Sequence, residues 1–323
     1  MNNTKKSRKV VITGAGDVGA SFAYSLLQAG LAEEIVLIDV NADLAKGQVL
    51  DLAHGLPFVP PVQVYVGTPA DYADASVIVI TAGAKQRPGE SRLELLNRNA
   101  TIMVHIMDEI VANDSKAVIV IVSNPVDVLT YVALHRSGLT KNRIIGSGTV
   151  LDSARFRYLL SQHCGVDVRN VHAYILGEHG DSEVAAWSMT HVAGMPIAKY
   201  CAICGQCGGW QEAKDDIVRQ VRESAYHIIG YKGSTCYAIG LAVVRIVGAI
   251  LRNEHSVLTV STLLDGEFGL KDVCLSVPCL VSAEGITKIV ESQLTPCEAE
   301  ALSASAQVLH RTIESLGGAL LKP

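Results

Sequence analysis

The stretch Val10-Val11-Ile12-Thr13-Gly14-Ala15-Gly16-Asp17-Val18-Gly19 decides the fold. A short β-branched run gives way at once to glycines in the pattern G-x-G-x-x-G, and a segment of helical length, 18–29, follows. In that setting one glycine permits the tight turn, the second lets backbone approach a pyrophosphate, and the third lets helix and strand pack closely. The helix N-terminus adds unpaired N–H groups and the positive end of its dipole. Asp39 stands 20 residues after Gly19, at the end of the run 35–38. A carboxylate there accepts hydrogen bonds from both adenosine-ribose hydroxyls and repels a 2′-phosphate. Gly14, Gly16, Asp17, Val18, Gly19 and Asp39 are therefore the expected cofactor-binding residues, and the expected cofactor is NAD, not NADP.

Outward from this stretch the alternation continues. Short apolar runs at 34–38, 62–66, 77–80 and 117–122 read as strands buried on both faces, and 93–113 has helical length. The βαβαβ pattern predicts a doubly wound parallel sheet of the Rossmann type over residues 7–148. From residue 149 to 323 a second, α+β domain is expected, with helices at 152–164, 210–229 and 236–252 and a strand-like segment at 168–176. The chain ends in a helix opened by the capping box Thr295-Pro296-Cys297-Glu298, with Leu302, Ala306, Leu309, Ile313 and Leu316 on one face and Gly317-Gly318 as the stop.

Composition narrows the classes of function. The 323 residues carry a formal charge of −5, which offers no basic stripe for nucleic acid. The richest apolar stretch, 238–251, is broken by Arg245, Gly240 and Gly248 and falls short of the roughly 18 residues a membrane span needs. Lys5, Lys6, Arg8 and Lys9 precede only three apolar residues, so no export signal is read. Eight cysteines in such a chain read as reduced thiols, and the expected location is the cytoplasm.

Four segments place polar groups where chemistry can use them. Gln86-Arg87-Pro88-Gly89-Glu90-Ser91-Arg92 follows a buried strand and reads as a loop that can move, and Asn124 ends another strand at the edge where ligands bind. Asp152 and Arg155 share a helix face, whereas Arg157 points elsewhere. Gly177-Glu178-His179-Gly180-Asp181 sets one histidine between glycines. Beside a dinucleotide site that histidine is a candidate proton carrier, because hydride transfer to a ketone also requires a proton on the oxygen.

With GAGDVGA, DLAHG, TAGAKQRPGESRLELLNRN, SNPVDVLTY, GSGTVLDSARFR, GEHGDSE and YKGSTCYAIG on the page, the chain resembles the L-lactate/malate dehydrogenase family nearly end to end, and within it the bacterial lactate branch. The resemblance implies reversible reduction of pyruvate to L-lactate by NADH. It makes His179 the acid/base and Asp152 the carboxylate that orients it and raises its pKa. It makes Arg155 the clamp on the substrate carboxylate and Arg92, carried on the closing loop, the group that polarises the ketone. Asn124 would bond near the reacting carbonyl, while Thr235 and Ile239 would line the substrate and nicotinamide pocket. Six residues before Arg92 the family's malate enzymes have Arg, where this chain has Gln86. A second carboxylate buried there without a cation would cost several kcal/mol, so pyruvate is expected over oxaloacetate, with malate or another L-2-hydroxy acid as the alternative.

Two further expectations concern regulation and metal. Arg157 and His172 resemble the phosphate-binding pair of bacterial enzymes activated by fructose 1,6-bisphosphate, whose effector lies on a two-fold axis of a homotetramer. Cys201, Cys204 and Cys207 have a spacing that can bind metal, but a loop bearing reduced thiols is the reading adopted, with no metal. A non-catalytic NAD-binding protein is the competing class, and the set His179, Asp152, Arg155 and Arg92 argues against it.

Overall fold

The structure, a computed structural model, describes residues 8–85, 87, 89–205, 210–317 and 320, without the side chains of 211 and 212. Gln86, Cys207 and Gly318, all invoked above, lie outside the described residues. The first half runs β1 (Lys9–Thr13), α1 (Asp17–Ala29), β2 (Glu34–Ile38), α2 (Ala42–His54), β3 (Gln63–Val66), β4 (Val77–Ile80), α3 (Arg92–Ala112), β5 (Val118–Ile121), α4 (Val126–Ser137) and β6 (Ile144–Gly146). These strands are parallel neighbours in the order β3-β2-β1-β4-β5-β6. β1, β4 and β5 are buried along their whole length, which is why their residues run apolar without alternating. The order reverses between β1 and β4, and a doubly wound sheet opens its ligand crevice at that point.

The second half runs α5 (Val150–Cys164), β7 (Val171–His172), β8 (Ile175–Leu176), β9 (Val184–Ala185), β10 (His191–Val192), β11 (Met195–Pro196), α6 (Ile197–Cys201), α7 (Trp210–Lys232), α8 (Tyr237–Leu251), β12 (Ser256–Asp265), β13 (Lys271–Ser282), β14 (Gly285–Ile289) and α9 (Pro296–Glu314). β12, β13 and β14 form an antiparallel meander, and Ser261 of β12 pairs with Gly146 of β6, so one sheet of nine strands crosses the molecule. The sequence reading assigned no strands to 256–289. β13 is buried from Val273 to Cys279, so no period-two signal marks it, and Pro278 within it argues against a strand.

Helices α2 and α4 also escaped the reading. α2 buries only Ala45 and Leu52, while α4 is buried without a break from Val126 to Leu134, so neither shows a clear amphipathic stripe. The strand-like 168–176 is corrected to a 3-10 turn (Val168–Asn170) followed by β7 and β8, which belong to different small sheets. Val171, Ala173 and Ile175 face inward and His172 outward, but Leu176 is buried because β8 pairs with β9, so it does not share the His172 face. α9 starts at the expected capping box, where the Thr295 side chain accepts from the Glu298 N–H. No described helix is long and apolar enough to cross a membrane.

Candidate active site

Gly14 leaves β1 at φ +110°, and a Cβ there would come within 2.6 Å of Ala82 N and 2.7 Å of Thr81 Oγ1 at the end of β4. The two neighbouring strand ends thus close on bare backbone. A Cβ on Gly19 would sit 1.9 Å from the Gly14 carbonyl, so α1 can lie against β1 only with glycine. Gly16, by contrast, has nothing within 4 Å of such an atom: it caps α1 without a side-chain bond and faces open space. The helix N–H groups are left for an anion. A cavity of about 790 Å³ opens there, lined among others by Gly14, Gly16, Asp39, Tyr72 and Thr81.

Asp39 takes its position from two backbone donors, the Ala15 N–H on Oδ2 (2.7 Å) and the Asn41 N–H on Oδ1 (2.8 Å). Each oxygen keeps acceptor capacity on the cavity side for a ribose diol. The open glycine turn, the uncapped helix and the ribose-facing carboxylate together fit a dinucleotide, and the acidic end fits NAD. Asp17 and Val18 lie in the first turn of α1. The Asp17 side chain is exposed near Lys85 (3.7 Å), so any contact with a pyrophosphate is made through backbone.

Asp152 is in the first turn of α5, where the helix dipole favours its charge. Its Oδ2 receives His179 Nδ1 at 2.6 Å and its Oδ1 receives Arg155 Nη1 at 2.8 Å. The Asp152 side chain is 3% exposed, Arg155 13% and His179 25%, which describes a buried anion at the floor and two cations toward the mouth. Burial works against the charge on Asp152, but its contacts with His179 and Arg155 outweigh it and hold the carboxyl below the usual range. Burial likewise pulls the His179 pKa down, and the Asp152 charge and hydrogen bond overcome it, raising the imidazole to about 9. With Nδ1 committed to Asp152, Nε2 is the nitrogen left for a substrate. Nε and Nη2 of Arg155 meet no hydrogen-bond partner among the described residues.

The His179 loop is held from behind by groups the sequence reading missed. Asp127, buried in the first turn of α4, accepts the His179 backbone N–H at 2.8 Å on Oδ2 and the Ser276 hydroxyl at 3.4 Å on Oδ1. Its own pKa is raised to about 6 by burial, against the bonds it accepts. Gly177 exchanges backbone bonds with Ser276 of β13 at 2.9 and 3.1 Å. Glu183, four residues past His179, is also buried beside this cluster. The signal for Asp127 was the one charged residue inside the otherwise uncharged Val126-to-Leu134 run.

Arg92 is the first residue of α3, not a loop residue, because Ser91 and Glu94 form a capping box just before it. It is exposed, and among the described residues no hydrogen bond or ion pair holds it. The preceding loop is anchored at its base by Arg98, which bonds Glu90 and the Lys85 carbonyl. Asn99 ties both strand ends of the crevice, accepting the Ala84 N–H and donating to the Asn124 carbonyl. Asn124 itself is exposed at the carboxyl edge of the sheet. α8 packs closely on α1, where a Cβ on Gly240 would be 3.0 Å from the Ser21 carbonyl. Ile239 of α8 and Thr235, just before that helix, are half-buried, and Ile239 packs on the main core.

Arg157 does face away from this cluster: its Nε donates to the Val171 carbonyl at 2.8 Å, and with exposed His172 it lines a separate cavity of about 500 Å³. Among the described residues no group of three His, Cys, Asp or Glu side chains is arranged to hold a metal.

Comparison with known proteins agrees with this architecture. Residues 8–146 match the model of the lactate/malate dehydrogenase NAD-binding domain, and residues 149–317 match that of the lactate/malate dehydrogenase alpha/beta C-terminal domain. The chain is 58% identical over 307 residues to an L-lactate dehydrogenase of Treponema denticola, covering 94% of this chain and 97% of the relative. It is 52% identical to an L-lactate dehydrogenase of Acetivibrio thermocellus, covering 98% and 99%. The crystal structure of a minor L-lactate dehydrogenase from Enterococcus mundtii in its ligand-bound form superposes with a TM-score of 0.94 at 43% identity, covering 97% of this chain and 100% of that one.

Proposed function

The chain belongs to the lactate/malate dehydrogenase family, and from that premise we propose that it catalyses the reversible reduction of pyruvate to L-lactate. It is an NAD-dependent oxidoreductase. The observation that carries the reading is the single chain of contacts Arg155–Asp152–His179, which presents a carboxylate clamp and a proton donor from one buried anion. The glycine turn Gly14 to Gly19 and Asp39 would hold NADH, which would supply the hydride for the keto carbon.

The protein's own groups do the rest. Arg155 forks the pyruvate carboxylate with the donors it has free. His179, charged at neutral pH, gives the proton on Nε2 to the keto oxygen, and Asp152 stabilises the charged ring until that moment. Arg92, on a helix start next to the loop expected to move, would come down on the same oxygen and help exclude water. Asn124 and Thr235 would border the reacting carbonyl, and Ile239 would line the nicotinamide side of the pocket. In lactate oxidation neutral His179 accepts the proton.

The test is NADH consumption with pyruvate, oxaloacetate and a branched 2-keto acid, with pyruvate expected to have the highest kcat/KM. Gln86 carries the choice of acid. Gln86→Arg supplies the cation that a second carboxylate lacks, so the oxaloacetate-to-pyruvate ratio of kcat/KM should rise by about 10²-fold or more. An unchanged ratio would place Gln86 away from the substrate.

The finer reading includes regulation. Arg157 and His172 line one cavity with Arg245, whose charge is met by Glu254, so Arg157 and His172 are the groups left to meet a phosphate. In a homotetramer, two copies would meet across a two-fold axis and repel until a bisphosphate neutralised them. Fructose 1,6-bisphosphate is then expected to lower the apparent KM for pyruvate severalfold, and the double variant Arg157→Gln, His172→Gln to abolish that response. Identical pyruvate kinetics with and without saturating effector would end this part of the reading.

A further inference from the structure

Glu183 belongs to the motif GEHGDSE, but no role in binding or catalysis falls to it above. The residue is 3% exposed, and its Oε1 is buried with no hydrogen-bond partner among the described residues. Its neighbour Arg222, on α7, bonds the Glu183 backbone carbonyl at 2.9 Å and forms no ion pair with the carboxyl. An unpaired buried carboxylate is unfavourable, so the group either keeps its proton or answers to a strong local field.

That field comes from every element packed around it. α5 contributes the negative charge of Asp152 and the positive charge of Arg155, the preceding loop contributes His179, and α7 contributes Arg222. Lys214 of α7 and Glu298 of α9 line the same cavity as Glu183, but Lys214 sits over the Trp187 ring at 5.2 Å and Glu298 is committed to Ser188 and Thr295. Burial and Asp152 push the Glu183 acid up to about 8, against the opposing pull of His179, Arg222 and Arg155. Glu183 also lines a cavity of about 740 Å³, together with Trp210, on the side away from the substrate mouth's Arg155 and His179, neither of which lines it.

We propose that Glu183 is a positioning residue that acts through His179, its buried carboxyl adding to those of Asp152 and of Asp127 on α4 in holding the imidazole in its charged form on the alkaline side of neutrality. The proposal rests on His179 being the proton carrier. Below the range where Glu183 ionises it is a neutral acid and adds no charge. Above that range its negative charge opposes loss of the His179 proton, so the two groups titrate as a coupled pair.

The sign of the effect differs between the two directions of the reaction. Glu183→Gln keeps the shape and removes the ionisable group, so His179 should lose its proton at lower pH. The alkaline limb of kcat/KM for pyruvate reduction should then move down by about half a unit to one unit, a three- to tenfold loss at a pH on that limb. The acid limb of lactate oxidation, which needs neutral His179, should move down by the same amount, a gain at a pH on that limb. Damage to packing would lower both directions together. Glu183→Asp, which keeps a carboxyl, should retain limbs closer to wild type. Unmoved limbs in Glu183→Gln, or equal shifts in the Gln and Asp variants, overturn the proposal.

Should Glu183→Gln not fold, ring NMR of His179 in the wild-type enzyme, assigned with His179→Asn, decides the matter. A two-step titration between pH 6 and pH 10 is expected, and a single step overturns the coupling. Because that titration requires no turnover, it separates failure of this proposal from failure of pyruvate reduction itself.

Discussion

His179→Asn is expected to lower kcat/KM for pyruvate by about 10²- to 10⁴-fold at neutral pH, the usual contribution of a positioned acid or base. Asparagine can still donate its amide N–H to Asp152 Oδ2, so the buried carboxylate is not stranded and the fold should survive. What disappears is the proton at Nε2. NADH binding, followed by fluorescence, should be nearly unchanged, since the cradle at Gly14, Gly16 and Asp39 lies on other elements. In the wild type the sign of the pH dependence follows from the raised histidine: pyruvate reduction should hold below about pH 9 and fall as pH rises through that value. Turnover of the variant within tenfold of wild type would remove His179 from the proton-transfer step.

Arg155→Gln should cost pyruvate reduction about 2–5 kcal/mol, or roughly 30- to several-thousand-fold in kcat/KM, the range for truncating one side of a desolvated ion pair. The substrate carboxylate would enter a site 13% open at Arg155 and find no cation there. Arg155 also pulls down the His179 pKa, so the alkaline limb in this variant should move up, the direction opposite to that expected for Glu183→Gln. A loss under tenfold, measured by steady-state NADH oxidation, would place the carboxylate elsewhere.

Much of the cofactor site was legible because local backbone makes it. The turn Gly14 to Gly19 needs glycine for steric reasons that hold within a few residues, and the strand before it and helix after it announce themselves by period. Asp39 follows from the same unit. The capping box at Thr295 and Glu298 was readable for the same reason, as were the ends of β2 and β4. By contrast β12 from Thr259 to Thr262 and β13 from Val273 to Cys279 are buried on both faces, and β13 carries Pro278, so periodicity is silent where the sheet is extended.

The catalytic cluster divides along the same line. Asp152 and Arg155 sit one helical turn apart, and the residues alone determine that they share a face. That His179, 27 residues from Asp152, delivers Nδ1 to the other oxygen of that carboxylate depends on the Gly177 backbone meeting Ser276, which is 99 residues further along the chain. Asp127 bonding the His179 N–H from 52 residues away, and Glu183 left buried without a partner, are likewise products of packing. Types of residue and their spacing along the chain determined which groups could do the chemistry and which cofactor they suit. Only the tertiary structure decided which of them are dehydrated together, because burial and distance, which set every charge in this site, are properties of elements brought together from across the chain.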